Sequence, residues 1–322
     1  MYVSSYISGI CKIILLFLQI VFSMGSFRDE EQNLLSIYMP YLPLSLSSIL
    51  ASPYFSPHAF PPSTDVPEEL ASRLRQNQFI TIAKGIMIQT LDALAFLHDE
   101  QRRIGHRDIK PENIMLTKEG CVKLIDFGVS WKENEPDLEK NDDLWPEYRG
   151  KLYFEVSTRA YRAPELLFGT RHYDQCAVDL WSIGATFAEF FTALRLESGD
   201  EDDGDDDDDT EPDVDPAGVP LAPFIVPKYL RIGYPGAQWK RDTLFNGERG
   251  EIGLAWSIFK IFGTPTEDNW PVCCAISILF FIFTDYIFRA LKSFRERLLW
   301  YSTSLKAFLS LLCSRTFLHP QR

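Results

Sequence analysis

A chain of 322 residues, 46% hydrophobic and 14% aromatic, can bury a sizeable core and is composed like a globular protein, not a fibrous or disordered one. Its formal charge of −13 is local: residues 197–215 (ESGDEDDGDDDDDTEPDVD) hold thirteen acids and no base, and without them 32 acidic residues face 32 basic ones. No basic patch is left to form a nucleic-acid footprint, and six scattered cysteines lack the spacing of a disulfide framework or a zinc site.

In chain order, the first apolar run is 13–22 (IILLFLQIVF), and a second lies at 272–283 (VCCAISILFFIF). Both are shorter than the roughly 18–20 residues of a membrane span, so they read as buried elements and no membrane partner is expected. Residues 33–46 (NLLSIYMPYLPLSL) read as a strand, a short connector and the start of a helix. The Pro- and Ser-rich stretch 51–68 reads as a loop insertion. Ile82, Ile86, Gln89, Ala93, Leu94 and Leu97 recur at three- and four-residue spacing and predict a long helix over 77–98. Two β-type runs, 114–116 and 122–125, flank a turn at 117–120 and predict a hairpin. Residues 132–151 are charged and irregular. Residues 176–194 (CAVDLWSIGATFAEFFTAL) are apolar almost all round and predict a helix buried in a large domain. The acidic tract, 197–218, is expected to be a solvated, disordered insertion, and a last helix is expected over 250–262.

The densest chemistry lies in 105–128, GHRDIKPENIMLTKEGCVKLIDFG. Phosphoryl transfer from a nucleotide needs a carboxylate to orient the attacking hydroxyl, oxygen ligands for a metal, and cations to absorb charge. Asp108 can be that carboxylate and Lys110 the cation. Asn113 and Asp126 offer the hard oxygen ligands that Mg²⁺ prefers, and the intervening hairpin returns position 126 to position 113. Gly128 frees the backbone after Asp126 to turn.

HRDIKPEN (106–113) followed by DFG (126–128) resembles the catalytic and metal-binding loops of eukaryotic protein kinases. APE at 163–165 matches the end of the activation segment, and Asp179 in DLWSIG resembles the buried aspartate that holds the catalytic loop. STRAYRAPELLFGTRHYDQCAVDLWSIG (157–184) and GTPTEDNWP (263–271) are similar to the cyclin-dependent kinase group, closest to its CDK-activating branch and the fungal members of that branch. The resemblance covers about 33–271. It implies an α+β, mostly helical fold: a kinase-like large lobe with a remnant of the small lobe. It further implies a serine/threonine kinase that uses ATP and Mg²⁺ on a protein substrate, in the cytoplasm or nucleus. By the same resemblance the hinge falls at 39–42, with Met39 as gatekeeper, Leu42 facing the adenine and Met115 beneath it. Thr158 steadies Asp108 and Lys110; Phe127 belongs to the DFG motif; Glu165 expects an arginine partner.

The flanks depart from that pattern. No GxGxxG and no VAIK-like lysine occur in 1–38, and the surroundings of Lys12 match no part of the motif. Residues 1–32 and 272–322 match nothing in the family, as in an imperfect gene model, an aberrant splice form or a truncated paralogue. The chain is therefore expected to be impaired in transfer, and the small-lobe helix of the family's cyclin contact is missing. The alternative from another class is a non-catalytic, kinase-like binding module. The family's phosphorylated threonine falls near Tyr153, where no Ser or Thr stands, so Arg107 is expected to pair with one of eight acids: Glu133, Glu135, Asp137, Glu139, Asp142, Asp143, Glu147 or Glu155.

Overall fold

The computed structural model describes residues 19–21, 23–29, 34–61, 69–133, 147–148, 150–198 and 223–263. The chain forms two compact units, Met1–Leu254 and Ala255–Arg322; of the second, residues 255–263 are described, and 255–262 are helical. The apolar run 272–283, the motif after 263 and most of the acidic tract lie outside the described residues.

The long helix α2 (Glu69–His98) begins earlier than its apolar spacing predicts. Its inward stripe is Phe79, Ala83, Ile86, Met87, Thr90, Ala93, Leu94 and Leu97, all buried, whereas Ile82 is about half exposed. The spacing was right and its phase at Ile82 was not: the stripe enters through Phe79 and Ala83. By length and composition alone Ser72–His98 could cross a bilayer. In this fold its apolar stripe instead packs into the protein core. Gln89 joins the helix to the hairpin, donating to the Gly120 carbonyl at 3.1 Å and accepting from the Val122 N–H at 3.0 Å.

That hairpin is β5 (Ile114–Leu116) and β6 (Val122–Leu124), antiparallel, with Ile114 opposite Leu124. Its outer edges are both used. The two-residue strand β3 (Leu44–Ser45) pairs with β5, placing Ser45 opposite Met115. On the other edge the Leu124 N–H donates to Gln19 and the Val21 N–H to the Leu124 carbonyl, while Ile20 is buried in the core. An antiparallel pair, β1 (Gly25–Asp29) and β2 (Leu34–Tyr38), follows, so residues 19–29, set apart by sequence with 1–32, join the fold. Ser45 caps the short helix α1 (Leu46–Leu50) by accepting from the Ser48 N–H.

Beyond β4 (Ile104–Gly105), which pairs with β7 (Trp131–Lys132), come α3 (Pro164–Leu167) and the core helix α4 (Gln175–Ala188). A Cβ on Gly105 would lie 2.4 Å from Gln175 Cγ, so only glycine lets β4 pass the start of α4. Helix α4 stops six residues before the expected Leu194: a 3₁₀ turn, Glu189–Phe191, redirects the chain into β8 (Leu194–Glu197). Strand β8 pairs in parallel with β9 (Phe224–Ile225) and antiparallel with β10 (Gln238–Arg241), a sheet the sequence reading did not anticipate. Helix α5 (Gly250–Phe262) has the expected bounds.

The small sheet is bolted on by Arg241, which donates to the carbonyls of Leu50, Thr192 and Phe55 at 3.1, 2.8 and 3.0 Å. Phe60 packs edge-on to Trp239 and tilted against Phe224. The loop 51–61 and the insertion after Leu194 thus cover each other. Burial pushes the Glu189 carboxyl up to about 8, with the Tyr161 hydroxyl and the Arg241 guanidinium pulling it down and Glu112 pushing it further up. The protonated form's contribution to stability is complete below the ordinary Glu range and is lost as pH rises towards 8. Glu189→Gln should therefore flatten the fall in Tm between pH 5 and pH 8.5 by roughly 5 °C or more, measured by calorimetry.

Candidate active site

Residues 106–113 take their path from Asp179, a fully buried carboxylate in the first half of α4. Its Oδ2 accepts from the His106 N–H and from His98 Nε2, both at 2.8 Å, and its Oδ1 accepts from the Arg107 N–H at 2.7 Å. Three donors satisfy a carboxylate that water cannot reach. They also support Arg107 at φ 65°, a left-handed conformation that costs a non-glycine residue about 1–3 kcal/mol. His106 Nε2 donates to the Ile125 carbonyl at 2.9 Å, and its ring lies 4.6 Å from that of Phe127, tying the end of the hairpin to the same loop.

Asp108, nearly buried, is the centre of a polar network. Thr158 donates to its Oδ1 at 2.7 Å; Lys110 Nζ lies 2.8 Å from its Oδ2 and donates to Thr158 Oγ1 at 2.8 Å. Asn113 Nδ2 donates to the Asp108 carbonyl at 2.9 Å and to Oδ2 at 3.1 Å. Residues 50 apart in sequence thereby fix one carboxylate in one orientation.

With its amide nitrogen so engaged, Asn113 presents its amide oxygen as the acceptor end. The Ile125 N–H donates to the Asn113 carbonyl at 3.1 Å, which places Asp126 one residue beyond that contact. Asp126 is exposed, sits at φ 62° and accepts at Oδ1 from the Gly128 N–H at 3.3 Å. Among the described residues no group of three His, Cys, Asp or Glu side chains could hold a metal. An amide oxygen on buried Asn113 and a carboxylate on exposed Asp126 are a donor set that fits Mg²⁺, which keeps waters and takes phosphate oxygens to complete its shell.

Comparison with known proteins finds partial matches. Residues 64–213 match the protein kinase domain. Over 120 residues the chain is 43% identical to the meiotic mRNA stability protein kinase SSN3 of Saccharomyces cerevisiae, covering 37% of this chain and 20% of that protein. Over 121 residues it is 41% identical to the human cyclin-dependent kinase-like 4, covering 38% of this chain and 28% of that protein. The chain thus spans less than a third of the length of either relative. Among solved structures, the CAK complex of Chaetomium thermophilum bound to ATP-gamma-S aligns with a TM-score of 0.48 at 24% identity, over 84% of this chain and 57% of that one. The yeast RNA Pol II CTD kinase CTDK-1 complex aligns with a TM-score of 0.49 at 22% identity, over 85% and 63%.

The other sequence-selected residues are placed less tightly. Met115 lies in β5 opposite Ser45, and Leu42 is half-buried just before β3, whereas Met39 stands exposed after β2. Gly128 is exposed, and Phe127 packs partly against the core. Glu165 is half-buried in α3; its buried Oε2 has no hydrogen-bond partner among the described residues, and desolvation pushes its carboxyl up. Among the described residues of the eight acids weighed for Arg107, Glu147 meets it, with Arg107 Nη1 to Oε2 at 2.6 Å and Nη2 to Oε1 at 3.0 Å. Sequence reasoning did not single out His98 or Tyr173; His98 closes the long helix and could have been found by asking what faces a buried aspartate. Asp179→Ala leaves the His106 and Arg107 N–H groups and His98 without their acceptor, and should cost about 3–5 kcal/mol in chemical denaturation, with Asp179→Asn costing less.

Proposed function

We propose that this segment is the large-lobe half of a phosphoryl-transfer site, that of a serine/threonine protein kinase of the cyclin-dependent kinase group acting on protein hydroxyls. The observation that supports this most directly is the network on Asp108, in which Thr158, Lys110 and Asn113 all converge on one carboxylate. Such a carboxylate orients an incoming Ser or Thr hydroxyl and accepts its proton as the new bond forms. Lys110 sits close enough to offset charge developing on the transferred group, and Thr158, hydrogen-bonded to both Asp108 and Lys110, holds the ion pair in place. Asn113 and Asp126 are the residues that would hold magnesium. When bound, magnesium–ATP supplies the phosphoryl group and neutralises its oxygens.

The sequence before β2 carries no glycine-rich loop and no strand lysine, donors that in such enzymes fix the phosphates. Losing even one preorganised donor typically removes about 2.7–4 kcal/mol of transition-state stabilisation. The 322-residue chain alone should bind ATP weakly, with a Kd of roughly millimolar order, only with Mg²⁺, and should transfer no measurable phosphate. Calorimetric titration with and without Mg²⁺ checks this. Loss of binding in Asp126→Asn supports the assignment. Nucleotide binding indifferent to Mg²⁺ and to Asp126→Asn would overturn it in favour of a non-catalytic binding module. Phosphotransfer that Asp108→Asn abolishes would instead show that the chain is not impaired.

A further inference from the structure

Arg107 is only 3% exposed, yet its guanidinium reaches three separate segments. Nε donates to the Val129 carbonyl at 2.6 Å, Nη1 to Tyr173 Oη at 3.1 Å, and both terminal nitrogens donate to the Glu147 carboxylate. Tyr173 in turn donates to the Tyr153 carbonyl. The chain from Glu147 runs to Thr158, whose hydroxyl meets Asp108. Residues 147–158 are therefore tethered at one end to Arg107, in the middle through Tyr173, and at the other end to Asp108, the neighbour of Arg107.

A buried guanidinium needs an anion, because desolvation disfavours the lone charge. The Glu147 side chain is 8% exposed and supplies a two-pronged, charge-assisted contact from within the chain. Residues 147–156 (EYRGKLYFEV) contain no Ser or Thr, so no aliphatic hydroxyl in this stretch could acquire a phosphate to do the same work. We propose that Glu147 is a built-in positioning residue: its carboxylate occupies an oxyanion receptor at Arg107 and holds residues 147–158 against Asp108 without any phosphorylation. The proposal rests on Asp108 being the reactive carboxylate, but the receptor and its occupant are defined by geometry that involves no nucleotide.

The test uses the whole 322-residue chain and hydrogen–deuterium exchange over residues 150–158. Phosphatase treatment of the wild-type protein should leave exchange unchanged. Glu147→Gln, which keeps the shape and loses the charge, and Glu147→Ala should each speed exchange there by about tenfold. Added formate or inorganic phosphate should slow it again in Glu147→Ala, and should have no effect on the wild type or on Arg107→Ala/Glu147→Ala. Should Glu147→Ala fail to fold, the Glu147→Gln comparison decides. Three results would overturn the proposal: exchange that rises after phosphatase treatment, Glu147→Gln indistinguishable from wild type, or a loosened Glu147→Ala that neither anion restores. Because no readout involves ATP, failure here is separable from failure of the kinase assignment.

Discussion

One buried carboxylate organises the functional half of this protein. Asp179 has no access to water, and it meets that constraint by accepting from two consecutive backbone N–H groups and from His98. Consecutive amides can point at one carboxylate only if the backbone turns sharply between them, which is why Arg107 is left-handed. From that turn Asp108 is aimed one way, into the network with Lys110, Asn113 and Thr158, and the Arg107 side chain another, towards Glu147. The helix that carries Asp179 and the helix that ends in His98 are both core elements, so the loop inherits their rigidity.

The same economy recurs at the insertion after Leu194. A 3₁₀ turn ends α4, and the chain crosses the acidic tract before returning as β9 and β10. Arg241, whose guanidinium burial lowers to about 10, ties the carbonyls of Leu50, Phe55 and Thr192 into one anchor. Strand β10 is thereby fastened to the end of α1 and the loop after it. Acidity concentrated in one stretch leaves the rest of the chain balanced in charge.

Sequence reading reached the parts of this fold that are encoded locally. The 114–124 hairpin has β-type runs around a turn, and α2 and α5 have sustained periodicity. Spacing could bring Asn113 and Asp126 together because the hairpin between them is short. It could not choose Glu147 among eight acids, since that choice depends on how an irregular segment folds back over 40 residues. The sheet of β8, β9 and β10 was invisible because its strands have two to four residues and pair across the acidic tract. Residues 20–21 are buried, as their apolar run implies, but an apolar run does not say that the segment completes a sheet edge on Leu124. The end of α4 was misplaced because apolar content continues unbroken from the helix into a turn and a strand.

The central claim is convergence: the side chains at 108, 110, 113 and 126 face one magnesium–triphosphate. Paramagnetic relaxation tests it without requiring turnover. With Mn²⁺–ATP titrated into labelled protein, the account predicts early, selective broadening of the Asn113 side-chain amide and of the Asp126 and Gly128 backbone amides, while the Trp239 indole on the accessory sheet stays sharp. Broadening that spares Asn113 and Asp126, or that strikes Trp239 first, would contradict it.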